Sequence, residues 1–312
     1  MTAVAFEIAW LLLVLPAFDT VHRRIFRVLQ ANPTPKIRIV DWYWEFLRVL
    51  KKRPADDLEF YVALVRKGLL YTVLVLSIVT LTMFLNASYS PYLVLAIIFC
   101  LGIIRLLIGF TFEKNFIALG ALDESAQRQG AVLVLLVGMM ATWSVSWDIS
   151  LREIVTMQMK PMVGMLPSFG IFFNPIAFIC VSVALSLYLR HWEEEEFSPR
   201  AYMRKSAKHE LFGIDLLAFK IARNMDHILL YSLVIFVFLG GPYLNDSEIS
   251  PLTAIAIFSA KLSLVAFAVL GIRLVLPRMN NQSLRVMFLV LLPLEIISYP
   301  LTVGLRRLLN LH

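Results

Sequence analysis

The sequence predicts an all-α polytopic membrane protein of about eight transmembrane helices, and three observations predict it. The chain has 312 residues, of which 59% are hydrophobic and only 16% charged, and its mean hydropathy is +0.77. One soluble core cannot take up that much apolar surface. Apolar stretches of bilayer-spanning length recur along the chain, and the cations between them are spread unevenly, the pattern that orients membrane helices.

A span needs roughly 20 predominantly apolar residues. Taken in order, the candidates are 3–18, 69–86, 91–110, 130–147, 169–189, 228–243, 252–276 and 285–303. The first resembles a signal peptide, but Glu7 interrupts it and no small-residue cleavage site follows Pro16. It is therefore expected to stay as a helix. The whole chain, 1–312, reads as a single integral membrane domain, with a first cytoplasmic loop at 19–67 and a charged one at 190–227.

The cations fix the orientation. Of the 29 Lys and Arg residues, Arg152, Lys160, Arg306 and Arg307 lie on one side, and Arg105, Lys261 and Arg273 lie within spans. All the others fall on the opposite side, in or beside the loops after spans one, three, five and seven. That side is cytoplasmic by the positive-inside rule, so both termini are expected outside, as in a bacterial inner membrane. The net charge of +7 thus belongs to topology, and no nucleic-acid partner is called for.

The composition also excludes chemistry. Cys100 and Cys180 each sit in an apolar run, which supports neither a disulfide framework nor a cysteine metal site. The five histidines are scattered, without an HExxH pair, and no glycine-rich phosphate loop is present. Asp56-Asp57 and Asp123-Glu124 are adjacent acid pairs in expected loops, but no second acidic motif stands at a useful spacing. A metal-dependent lipid or prenyl transferase is the weaker reading, and solvated loop acids the better one.

Two cytoplasmic stretches carry pattern. Ile39-Val-Asp-Trp-Tyr-Trp-Glu-Phe-Leu-Arg-Val-Leu-Lys-Lys-Arg53 sets apolar and aromatic residues on one helical stripe and cations on the other, as in a helix lying at the membrane surface. Its cations Arg48, Lys51, Lys52 and Arg53 anchor it to anionic lipid or dock a partner. The second stretch runs from Glu193-Glu-Glu-Glu196 into Arg200, Arg204, Lys205 and Lys208. It is a solvated face or a docking surface.

Ionisable residues inside spans need a partner or a task, since each costs roughly 2.5–3.5 kcal/mol at a helix centre. Counted along their spans, Lys261 lies about 13 Å deep from the outer side and Glu295 about 15 Å from the inner. The two depths nearly coincide in a core about 30 Å thick, and consecutive helices are usually neighbours. A buried Lys261–Glu295 pair is expected, either orienting two helices or exchanging protons with internal water. Arg273, near a helix end, is expected to snorkel; Arg105, deeper, is expected to face other helices.

Three stretches resemble the proton-arm anchor subunit of NADH:quinone oxidoreductase (complex I) and its relatives in group 4 energy-converting nickel–iron hydrogenases and formate hydrogenlyase. Lys261, Arg273, Leu276-Pro-Arg278, Leu284 and Leu292-Pro-Leu294 recur in the family's order with nearly its spacing. Asn115-Phe-Ile-Ala-Leu-Gly-Ala-Leu-Asp-Glu-Ser-Ala-Gln127 resembles the family's loop between helices three and four. The stretch ending at Arg53 takes the place of the family's first cytoplasmic surface helix. The departures make this a divergent member: Val132, Ala201, Arg204 and Ser206 stand where the family carries acids, while Glu194, Pro199 and Glu210 match. Ala218-Phe-Lys-Ile-Ala222 is closer to the hydrogenase branch.

The resemblance implies no catalytic centre in this chain. It implies an anchor and coupling subunit that joins hydrogenase-like or complex I-like peripheral subunits, which hold the iron–sulfur clusters, to antiporter-like membrane subunits. Glu194, Glu210, Lys261, Glu295, Arg105 and Arg273 are then the proton-path or coupling candidates. Arg204 and Lys205 join the first-loop cations as docking candidates. The alternatives are a secondary transporter, against which no internal repeat is visible, and a scaffold paralogue without quinone or proton function.

Overall fold

The structure is a computed structural model that describes residues 44, 47, 60–86, 89–112, 115–143, 150–159, 169–193, 213–241, 251–275 and 281–308. The expected first span, 3–18, lies outside them. So does the amphipathic stretch, except for Trp44 and Leu47, which are helical and exposed.

The described residues form helices α1 (Phe60–Asn86), α2 (Pro91–Phe110), α3 (Asn115–Trp143), α4 (Leu151–Met159), the short α5 (Gly170–Phe173), α6 (Pro175–Glu193), α7 (Gly213–Phe238), α8 (Pro251–Val275) and α9 (Asn281–Leu308). Their starts follow from local chemistry. Pro91, Pro175 and Pro251 occupy the first helical position, where the missing N–H is not needed. Asn174 caps α6 by accepting from Ala177 N at 2.9 Å, the preferred cap chemistry. Ser150 and Glu153 cap α4 reciprocally: Ser150 N donates to Glu153 Oε2 at 2.7 Å, and Glu153 N to Ser150 Oγ at 3.2 Å. That is a capping box.

The chain is an all-α polytopic membrane protein. Four described helices are long and apolar enough to cross a bilayer, at Tyr61–Met83, Pro91–Phe110, Ile214–Phe238 and Val286–Gly304, with shorter apolar stretches at Pro175–Tyr188 and Ala256–Ile272. Several hydroxyls in the described helices are satisfied locally. Thr72, Ser77, Thr80, Thr142, Ser232 and Thr302 each donate to the carbonyl four residues back, which makes such residues tolerable in lipid.

The structure corrects several expected boundaries. Residues 60–67 belong to α1 rather than to the first loop, and 213–227 belong to α7 rather than to the charged loop. Asn115–Gln127 is helical, not a loop. Its Ala, Leu and Gln content favours helix, and no proline breaks it. A hydropathy window ends where charges enter, whereas a helix continues through them as long as backbone and propensity allow.

The chain divides into two compact units, residues 1–82, 103–123 and 195–227 in the first, and 83–102, 124–194 and 228–312 in the second. Helices α1, α2, α3 and α7 contribute residues to both. In the second unit α8 and α9 both pack against α6, and α5 packs on α6 and α9. Residues 228–238 of α7 are buried on every side, the signature of a central helix. The α9 helix is peripheral: Leu289, Ile296 and Ile297 are more than 60% exposed, as lipid- or partner-facing residues are.

Candidate functional site: charges held within the spans

In the first unit, Arg105 of α2 reaches α7. Its Nη1 meets Asp226 Oδ2 at 3.0 Å, and its Nη2 donates to Ala222 O at 2.6 Å. The Asp226 side chain is fully buried and that of Arg105 nearly so. The guanidinium fork matches this acceptor set, so charge and hydrogen bonding are met together. Arg105 faces another helix, as its depth suggests. In the same unit, Arg66 lies over the Phe112 ring at 4.9 Å.

In the second unit the end of α7 builds a cation site. The last carbonyls of a helix lack partners within it and carry its negative pole. Leu239 N and Gly241 N both return to Ile235 O, at 2.9 and 3.1 Å, and Gly240 and Gly241 have φ of +79° and +59°. Only glycine takes this left-handed turn without strain. The turn brings two carbonyls onto one ammonium: Lys261 Nζ donates to Leu239 O at 2.7 Å and to Gly241 O at 3.0 Å. It lies 5.5 Å from the Phe169 ring centroid.

Neighbours complete the cap. Gln158 Nε2 donates to Phe236 O at 2.7 Å and Val237 O at 3.2 Å, while its Oε1 accepts from Gly170 N at 3.3 Å. Trp143 Nε1 donates to Val237 O at 2.7 Å.

Among the described side chains of α9, Glu295 lies on a buried stripe with Phe288, Leu291, Ser298 and Thr302. Its side chain is fully buried, and neither carboxyl oxygen has a hydrogen-bond partner among the described residues. A Cβ at Gly138 of α3 would stand 2.8 Å from Oε1, so the absence of a side chain there makes room for the carboxyl. Ser298 Oγ donates to the Glu295 carbonyl at 2.6 Å and accepts from Asn174 Nδ2 at 2.9 Å.

The expected Lys261–Glu295 pair is therefore not made. The negative end of α7 offers Lys261 fixed carbonyls on an adjacent turn, and these hold it. Replacing Glu295 consequently leaves no lysine stranded.

The remaining expected residues divide simply. Arg273 lies in α8, outside the described side chains, and the side chains of Asp123 and Glu124 in α3 are likewise undescribed. Glu194, Glu210, Arg48, Lys51, Lys52, Arg53, Arg204 and Lys205 lie outside the described residues. Asp226 is not evident from hydropathy because it sits just before a span drawn to begin at Ile228. The signal was an acid preceding a long apolar run while Arg105 waited for a partner. Arg128, assigned to a loop by hydropathy, is fully buried and donates to Ile98 O at 2.7 Å. Gly102 leaves room for its guanidinium, since a Cβ there would collide with it. Among the described residues, no group of three or more His, Cys, Asp or Glu is placed to hold a metal ion.

These features define a class: a helical membrane protein that keeps several ionisable side chains within its spans, each in its own setting. A family model described as NADH dehydrogenase matches residues 2–303, and the chain belongs to that family, which includes the membrane anchor subunit of complex I. No curated protein matches the chain.

Proposed function

We propose that this chain is the membrane anchor and coupling subunit of a complex I-like or energy-converting hydrogenase-like assembly in a bacterial inner membrane, with both termini outside the cytoplasm. It docks a soluble redox module, whose subunits carry the iron–sulfur clusters, to antiporter-like membrane subunits, and it takes part in proton translocation. The family match over residues 2–303 is the observation that carries this reading.

The charged interior supports it. A coupling subunit needs ionisable groups inside the bilayer, where they are expensive and therefore serve a purpose. Arg105, Asp226, Lys261 and Glu295 are such groups. The cytoplasmic cations Arg48, Lys51, Lys52, Arg53, Arg204 and Lys205 supply the docking field, since complementary potential guides and orients association.

Charge reversal tests the docking directly. Glutamate in place of Arg48, Lys51, Lys52 and Arg53, or of Arg204 and Lys205, should release the soluble subunits from the purified assembly while membrane partners remain. Unchanged subunit composition at low and high salt would remove the docking role.

A further inference from the structure

The Glu295 carboxyl is placed unlike the other described charges of the second unit. Lys261 has carbonyls and a ring, whereas Glu295 is fully buried with both oxygens unpartnered among the described residues. Two hydroxyls, one on α9 and one on α3, are engaged elsewhere. The Ser298 hydroxyl is given to the Glu295 backbone carbonyl, and the Thr142 hydroxyl to Gly138 O at 2.7 Å. An ionised carboxylate stripped of water and left without donors or a cation costs far more than the neutral acid.

We propose that Glu295 is a proton-binding site of the membrane bundle, a carboxylic acid that holds its proton in the pocket left open by Gly138. Among the described residues, the surrounding helix segments supply no counter-charge. Residues 131–143 of α3 and all of α5 contain no ionisable side chain, 175–188 of α6 bring only Cys180 and Tyr188, and 286–304 of α9 add only Tyr299. Lys261 of α8 is turned to the end of α7. The ligand is the proton itself. Its part in coupling rests on the function proposed above; the proton binding does not.

A hydrophobic carbodiimide tests it in the complete assembly within its membrane. The protonated acid adds across the carbodiimide to give an O-acylisourea, which rearranges to a stable N-acylurea with nothing expelled. Peptide mass spectrometry should find this adduct on Glu295 and lose it in Glu295→Gln. Infrared difference spectra should show a protonated-carboxyl C=O band that the same variant removes. Gly138→Ala keeps the acid but places a methyl against it, so the adduct should fall and the band should shift. That variant also serves if Glu295→Gln does not fold. A carboxylate band at Glu295, or an unmodified Glu295 beside labelled lipid-facing acids, overturns the proposal. Labelling of Glu295 in a chain that assembles with nothing would uphold the proton site and remove the coupling role.

Discussion

Lys261 Nζ and the Leu239 carbonyl oxygen meet at 2.7 Å, so the cation of α8 serves as a cap on α7. The lysine neutralises the negative end of the central helix and fastens two elements of the second unit. Replacing Lys261 with Met leaves the Leu239 and Gly241 carbonyls without that donor. The expected loss is about 1–3 kcal/mol, read as a lower thermal unfolding midpoint in mild detergent. An unchanged midpoint would show that the cap contributes nothing.

The glycine turn makes that cap possible. Gly240→Ala puts a Cβ on a residue at φ +79°, 2.9 Å from the Phe169 ring. Strain at such a position is about 1–3 kcal/mol, and the ring over Lys261 must move as well. The variant should lower the unfolding midpoint more than Gly271→Ala, where nothing lies within 4 Å of the added Cβ. Equal midpoints for the two variants would contradict the account.

The Arg105–Asp226 pair calls for a cycle rather than a single variant. Asp226→Asn leaves a guanidinium facing a neutral amide, and removal of one partner of a buried pair costs about 3–5 kcal/mol. The double variant Arg105→Met, Asp226→Leu should recover much of that loss, because replacing both charges with apolar groups removes the stranded one. Strictly additive losses, measured by denaturant unfolding, would show that the residues act independently.

Asn174 joins two roles. It caps α6 through Ala177 N and donates to Ser298 of α9. Asn174→Ala should cost about 1 kcal/mol for the cap alone, with more lost from the α9 contact. Asn174→Asp keeps the cap acceptor but not the amide donor, and should fall between. Hydrogen exchange at the start of α6 distinguishes the two contributions.

Much of the fold was legible because lipid imposes simple rules on sequence. Pro91 and Phe110 bound α2 as the hydropathy pattern expects, and α8 begins and ends within a residue of expectation. What hydropathy hides is polar structure inside long helices. Lys220, Arg223 and Asp226 dilute the apolar signal, so α7 reads as starting at residue 228 although its helix begins at Gly213. Arg128 was lost in the same way, inside α3. The Lys261 site was half legible: the residue was evident, but its partners are backbone carbonyls, which leave no mark on side-chain identity. Only Gly240-Gly241, adjacent and ahead of a proline, hinted at a special turn.

The central claim is that this bundle serves as the membrane foot of a larger redox or ion-moving assembly. Affinity purification of the tagged chain from its native membrane in mild detergent, with mass spectrometry of the eluate, tests it most directly. Peripheral hydrogenase-like or complex I-like subunits and antiporter-like membrane subunits should elute together with it in fixed proportion. Elution of the 35.6 kDa chain alone, folded and without stable companions, would contradict the account.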